Sequence, residues 1–327
     1  MTPDVPRLRL GLILDPEFVL LERSVAATTP ALIRGLCRAF DTRIIHDQAT
    51  FDARSPEVDV LVSLEPGWAA PVLDWRRGQR RHGAPPAYVM MSDPHQGAWR
   101  QEYVRDQGID HVLALYWAPT LRHFAADLHP RLIHFPWTVP DRWFSDAPLR
   151  WRGSSTLTVF GAADDPAYEL RNWCRTQPGV ASSRVSGVEN PVYENEDYFA
   201  WLQEFDAVIV AGSEAPAYRL TTPKYFEAAA AGCLVFAQQT DDLERLGFVD
   251  GVHCLTFTRD TFAAVTRPYL DDPSHPRWLA IRDAGRRLVR ERHSLSRRLA
   301  DLAAHMDQAL HARAHRPGDG HRSDVRD

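Results

Sequence analysis

The sequence predicts an α/β protein built of two doubly wound domains, and three observations carry that expectation. Short apolar runs alternate with amphipathic stretches of helical length in both halves of the chain, which is the pattern of βαβ units around a parallel sheet. At 327 residues the chain has room for two domains of ordinary size. Midway, Pro136, Pro140 and Pro148 with Trp137, Trp143 and Trp151 interrupt the periodicity, and a boundary is expected near residue 148.

In the first half, strands are expected at Leu8–Leu14, Asp59–Leu64, Ala87–Met91, His111–Tyr116 and Arg131–Phe135. Between them lie helical patterns at Thr29–Phe40, from about Ala69, at Gly97–Gln107 and at Thr120–Leu128. The second half repeats the logic: strands at Thr156–Phe160, Asp206–Val210, Cys233–Ala237 and Gly251–Phe257, helices at Tyr168–Thr176 and Pro223–Ala231. One long helix is expected from Pro276 to His311, and the charged, Gly/Pro-containing residues 312–327 read as a disordered tail.

Composition narrows the function. A formal net charge of −5 speaks against a partner such as nucleic acid. The apolar runs fall far short of the ~20 residues that span a bilayer, and MTPDVPRLRL lacks a signal-peptide pattern, so a cytoplasmic protein is expected. Four arginines between Arg76 and Arg81 leave a peripheral membrane contact open, with a solvated loop as the plainer account. Cys37, Cys174, Cys233 and Cys254 show no zinc-ligand spacing and are expected to be buried free thiols.

Among 38 basic residues Lys224 is the single lysine, and its place is distinctive. In Asp206–Ala237 the chain reads strand, loop, helix, strand, with Thr222 as N-cap, Pro223 at the first helical position and Gly232 just past the end. Lys224 then lies in the first turn, where the helix dipole disfavours a cation unless an anion is also present. Backbone N–H groups unpaired in that turn favour the same anion. Glu227 shares the helix face, so one surface offers a cation for phosphate and a carboxylate for vicinal hydroxyls. The plainer account is a surface ion pair worth ~0.3–0.5 kcal/mol.

TPKYFEAAAAGCLVFA resembles the donor-binding segment of GT-B glycosyltransferases. Val159-Phe160-Gly161 followed by Arg171 is similar to the loop and later arginine that open the C-terminal domain in the CgeB-like group 1 members. Gly285-Arg286, His293-Ser294 and Arg298 resemble that group's terminal signature. The resemblance implies two Rossmann-like domains facing a cleft: an acceptor-side domain over 1–148, a nucleotide-sugar-binding domain over 149–294, and a terminal helix over 295–311 crossing back to the first. It also implies a metal-independent glycosyltransferase that needs no cofactor beyond its nucleotide-sugar donor. The donor is expected against Gly161, Arg171, Arg219, Thr221, Thr222, Lys224 and Glu227. Arg219 stands where many retaining members carry a glutamate, so that residue's sugar contact does not carry over, and Arg219 is assigned to an acidic sugar or the diphosphate.

Parallel sheets bind ligands beyond the carboxyl ends of their strands, which singles out Asp15, Glu65 and Ser92-Asp93-Pro94-His95 in the first half. His95, then Asp93, then Asp15 are the candidates to take a proton from an acceptor hydroxyl, an imidazole ordinarily titrating near ~6.5. Trp137 and Trp143 are expected to pack. A nucleotide-sugar epimerase or phosphorylase would share the donor site, and a non-catalytic binding or scaffold protein is the alternative outside enzymes. The sequence specifies neither acceptor nor oligomeric state.

Overall fold

The computed structural model of the chain describes residues 7–15, 28–76, 84–163, 165–183 and 195–314. Six strands form the first sheet: β1 (Arg9–Ile13), β2 (Asp41–Ile45), β3 (Val60–Leu64), β4 (Ala87–Met91), β5 (His111–Ala114) and β6 (Leu132–His134). Their spatial order is β2-β1-β3-β4-β5-β6. The second sheet holds β7 (Leu157–Phe160), β8 (Val180–Ser183), β9 (Ala207–Val210), β10 (Leu234–Gln238) and β11 (Leu255–Phe257), in the order β11-β10-β9-β7-β8. The first half carries α1 (Thr28–Ala39), α2 (Gln48–Arg54), α3 (Ala98–Asp106) and α4 (Trp117–His123). The second carries α5 (Glu169–Arg175), α6 (Asn195–Leu202), α7 (Pro223–Ala230), α8 (Phe262–Asp271) and α9 (Pro276–His293), and α10 (Leu295–Ala314) follows.

Neighbouring strands pair in parallel throughout. Helical crossovers therefore cover both sheet faces, and β3, β4, β9 and β10 are buried along their whole length. Each sheet carries an apolar cluster on either face. Leu10, Leu12, Val60, Val62 and Tyr88 face α1, while Ile13, Leu61, Val89 and Val112 meet Phe51, Trp75 and Val104.

Several expectations need correction. No helix starts at Ala69: the Glu65 carbonyl accepts the N–H groups of Trp68, Ala69 and Ala70 in a tight turn, and 71–74 has no regular structure. The helix expected at Thr120–Leu128 is α4, seven residues long, followed by a 3-10 segment at Ala126–Arg131. The long terminal helix is two helices. Between α9 and α10, the Val139 N–H donates to the His293 carbonyl at 3.0 Å and its own carbonyl accepts from Leu295 N at 2.9 Å. Asp141 then accepts from the Ser296 N–H at 3.0 Å at the start of α10. That helix ends at Ala314, with Arg313 paired to Asp110 at 2.6 Å, so the expected tail does not begin at 312; residues 315–327 lie outside the described residues.

Past the break α10 lies on the first half. Leu299, Leu302 and Met306 join Leu32, Leu36 and Leu10 in one apolar cluster, with Leu295 and Leu310 against it. Gly35 permits the close approach, since a Cβ there would stand 2.9 Å from Leu299 Cδ1. Cys174, Cys233 and Cys254 are buried free thiols, but Cys37 is exposed. Among the described residues no helix is long and apolar enough to cross a membrane.

Candidate active site

The start of α7 and the end of β7 meet in the second half. Thr222 sits at the N-cap with extended backbone (φ −67°, ψ 167°), Pro223 follows, and Gly232 closes the helix at φ 73°. The Thr222 hydroxyl makes no capping bond and is buried without a partner, leaving the first N–H groups of α7 without a side-chain cap. Lys224 reaches back to β7, donating to the Phe160 carbonyl at 3.4 Å with its ammonium 4.8 Å from the Phe160 ring. Gly161 is required here twice over: its backbone is left-handed (φ 102°), and a Cβ would collide with Lys224 Nζ.

Two arginines of α5 close on the same loop. Arg171, only 4% exposed, donates through Nε to the Ala211 carbonyl at 2.8 Å and to the Ala162 carbonyl at 3.1 Å. One turn on, Arg175 donates to the Gly161 carbonyl and to Asn172, which itself holds the Ala163 carbonyl at 2.7 Å. Among the described residues none of the three cations has a carboxylate at ion-pair distance. Burial, then the charge of Arg171, drives Lys224 well below its ordinary pKa; burial takes Arg171 down to about 10 and lowers Arg175. A loop cradled by three desolvated cations has the electrostatics of an anion site.

Glu227 is 3% exposed. Its Oε2 accepts from the Tyr198 hydroxyl at 2.8 Å, while Oε1 is buried with no partner. Burial pushes its pKa up to about 7, against the opposing pull of Tyr198 and Lys224. The surface ion pair considered from spacing is therefore absent. A ligand whose hydroxyls donate to Glu227 favours the carboxylate, so affinity should rise with pH through about 7. Lys224 acts with opposite sign, losing its cation as pH rises. Comparing wild type with Glu227→Gln by calorimetry from acid to neutral pH isolates the glutamate: the rising component is expected to vanish in the variant.

The loop leading into α7 is held from both sides. The Gln238 amide accepts from Gly212 N at 2.8 Å and donates to the Ser213 carbonyl at 2.7 Å. The Thr221 hydroxyl lies 2.5 Å from that of Thr240. Arg219 pairs at 3.0 Å with Asp241, which also pairs with Arg122 of α4, so its charge is engaged at the junction of the halves. Asp242 is buried and accepts the Trp117 and Ala118 N–H groups, both at 2.8 Å, capping a first-half helix from the second half. Leu220 packs into the first half's cluster with Leu115, Tyr116 and Phe135.

Across this junction stand the first-half candidates. Asp15 lies two residues beyond β1, its N–H donating to the Ala69 carbonyl at 2.9 Å. Asp93 adopts a left-handed backbone (φ 45°) ahead of the 3-10 turn Pro94–Gln96. His95 presents its ring edge to Tyr218 of the other half at 4.7 Å, and its Nδ1 is buried without a partner. Among the described residues no hydrogen bond joins Asp93 to His95, so the structure brings Tyr218, not Asp93, against the imidazole. Glu65 serves as a clamp: its Oε1 accepts from Ser92 N at 2.5 Å and its Oε2 lies 3.6 Å from Arg100. Trp143 stacks on Phe199 at 4.4 Å and Trp137 packs against both halves' clusters, as expected of packing residues.

Sequence reasoning missed Arg175, Asn172, Tyr198 and Tyr218. The first two carried a signal, since they lie on the face and in the next turn of the helix that holds Arg171. Tyr198 belongs to a helix with no marked periodicity, and Tyr218 acts through the junction, which local patterns do not reveal.

Two parallel sheets flanked by helices, the second with a cationic loop beside a helix start, have the two-domain architecture of the GT-B glycosyltransferase fold. Residues 142–304 match the family model described as glycosyl transferase-like, so this segment, which spans most of the second half, is similar to that family. Among similar solved structures, sucrose-phosphate synthase from Thermosynechococcus elongatus superposes with a TM-score of 0.60 at 11% identity over 94% of this chain and 100% of that one. Anabaena HepE, solved with UDP-glucose, gives 0.57 at 12% identity over 92% and 100%. An α-glucosyltransferase solved with UDP-glucose and DNA containing an abasic site gives 0.60 at 9% over 92% and 99%. At such identities the likeness is one of fold. No curated protein matches the sequence.

Proposed function

We propose that the chain transfers a sugar from a nucleoside-diphosphate sugar to an acceptor hydroxyl. The observation that carries this reading is the convergence of Lys224, Arg171 and Arg175 on the Phe160–Ala163 loop with no carboxylate in ion-pair range among the described residues. Three desolvated cations at a helix start call for a multiply charged anion, and a diphosphate meets that demand. The vacant acceptor atom Glu227 Oε1, three residues from Lys224 on α7, suits ribose hydroxyls. Thr222 adds a hydroxyl at the same end of the helix. These cations and N–H groups also supply the charge that stabilises a departing diphosphate, so the reading includes no metal and no cofactor. The ligands named for HepE and for the α-glucosyltransferase favour UDP-glucose as the first donor to try.

Losing one charge-assisted hydrogen bond to a bound ligand costs ~1.5–3 kcal/mol. Lys224→Ala and Glu227→Ala are accordingly expected to bind UDP and UDP-glucose about 10- to 150-fold more weakly than wild type. Calorimetry with circular dichroism as a folding control checks this, and wild-type affinity in both variants overturns the assignment. Unchanged binding in the presence of EDTA is expected, and a strict requirement for Mg²⁺ contradicts the metal-free reading. Product analysis with and without acceptor separates transfer from epimerisation.

A further inference from the structure

We propose that Trp99, Trp68 and Val72 form a stacking platform for a carbohydrate acceptor, so that the hydroxyl receiving the sugar belongs to a glycan. This rests on the transfer reading above, which leaves the acceptor open. Among the described residues few large apolar side chains stand well out of the surface, and these three, 41%, 50% and 57% exposed, gather around one glycine. Gly67 has a left-handed backbone (φ 83°), and a Cβ there would lie 3.4 Å from the Trp99 ring and 3.6 Å from Val72 Cγ2. The Trp99 indole thus rests on bare backbone beside Val72, with Trp68 the next residue in the chain.

The platform is tied to the loop that bears His95. Trp99 lies in the first turn of α3 between Gly97 and Arg100, with the Tyr103 ring 6.2 Å away. Arg100 is buried and donates to the Ser92 carbonyl while facing Glu65. Because Glu65 also accepts from Ser92 N, the turn after β3 that bears Trp68 and the loop after β4 that bears His95 are bound together. Both emerge at the carboxyl edge of the first sheet, the edge at which parallel sheets meet their ligands. Exposed indoles fixed at such an edge suit a pyranose ring, whose C–H faces stack on aromatic faces while its hydroxyls remain free for polar neighbours. The patch comprises three side chains around one glycine, the scale of one or two sugar rings. The patch lies on a tight turn and the first turn of a short helix, without the long amphipathic helix of an interfacial anchor.

The test uses the full chain loaded with UDP, with maltose, cellobiose and N,N′-diacetylchitobiose as probes and the indole N–H resonances of Trp68 and Trp99 as the readout. At least one disaccharide is expected to shift both signals. Trp99→Ala should weaken that binding by about tenfold or more, Trp99→Phe should retain part of it, and UDP affinity should stay unchanged in both. Indole signals unmoved by all three sugars, or wild-type sugar affinity in Trp99→Ala, overturn the proposal. So does a Trp99-dependent association with phosphatidylglycerol vesicles in place of sugar binding. Failure of the wild-type chain to bind UDP has a separate meaning: it overturns the transfer reading and, with it, the acceptor role assigned to the platform.

Discussion

A chain ending at residue 294 is expected to lose cooperative folding, although it keeps every strand of both sheets. α10 contributes Leu299, Leu302 and Met306 to the first half's apolar cluster and packs Leu295 and Leu310 against it. Full burial of one such side chain is worth ~1.5–3 kcal/mol, and a domain's net stability is ~5–15 kcal/mol, so their combined loss removes most or all of the margin. Leu32 and Leu36 of α1 would be uncovered at the same time, which favours aggregation. A subtler variant keeps the test quantitative: Met306, fully buried, should cost ~2–5 kcal/mol as Met306→Ala. The urea midpoint should fall with the slope unchanged. A soluble 294-residue chain with a cooperative transition, or a Met306→Ala midpoint equal to wild type, contradicts this account of α10.

What the sequence made legible follows from how locally each feature is encoded. β3, β4, β9 and β10 are buried on both faces and read as unbroken apolar runs. β2 (DTRII) and β8 (VASS) lie at sheet edges and are polar over about half their length or more, which hid them from the same reading. The bounds of α7 were legible because Thr222, Pro223 and Gly232 each mark a specific backbone conformation. The α9–α10 break was not, because no glycine or proline causes it: Ser294 leaves helical geometry (ψ 152°) to pair with Val139, over 150 residues away in the chain. The candidate site divides in the same way. Lys224, Glu227 and Arg171 lie in segments with recognisable patterns, whereas the lack of an ion-pair partner for the two cations among the described residues and the buried Glu227 Oε1 arise only in three dimensions.

The junction shows why Arg219 reads differently once the halves are assembled. Its guanidinium and that of Arg122 share Asp241, and Arg122 also reaches the Pro216 carbonyl at 3.2 Å. The next residue, Asp242, holds the start of α4, the helix that carries Arg122. The stretch from Pro216 to Lys224 therefore touches the first half through Pro216, Tyr218 and Leu220, with Arg219 sharing Asp241 with Arg122, before it enters α7. This short segment is one of the links between the halves, and its residue facing His95 is Tyr218.

Replacing His95 by alanine is expected to lower turnover by ~10²–10⁴-fold while donor affinity stays within a few-fold of wild type. The motivation is positional: the imidazole stands at the carboxyl edge of the first sheet, against the loop that leads to the cationic site, with Nδ1 buried and unpartnered. In the transfer, the acceptor oxygen bonds to the anomeric carbon as the bond from that carbon to the diphosphate oxygen breaks. On the proposed mechanism the acceptor proton would pass to Nδ1, and Lys224, Arg171 and Arg175 would meet the charge left on the nucleoside diphosphate. A base that acts in this step contributes in the transition state and not to nucleotide binding, so the loss should fall on turnover. Should transfer retain configuration without a protein base, the same variant would lose positioning alone and keep much of its turnover. Tyr218→Ala, which removes the ring against the imidazole, should lower turnover by less than His95→Ala and leave UDP affinity unchanged. Turnover and UDP affinity measured on both variants separate these cases, and unimpaired turnover in His95→Ala rules the residue out as the base.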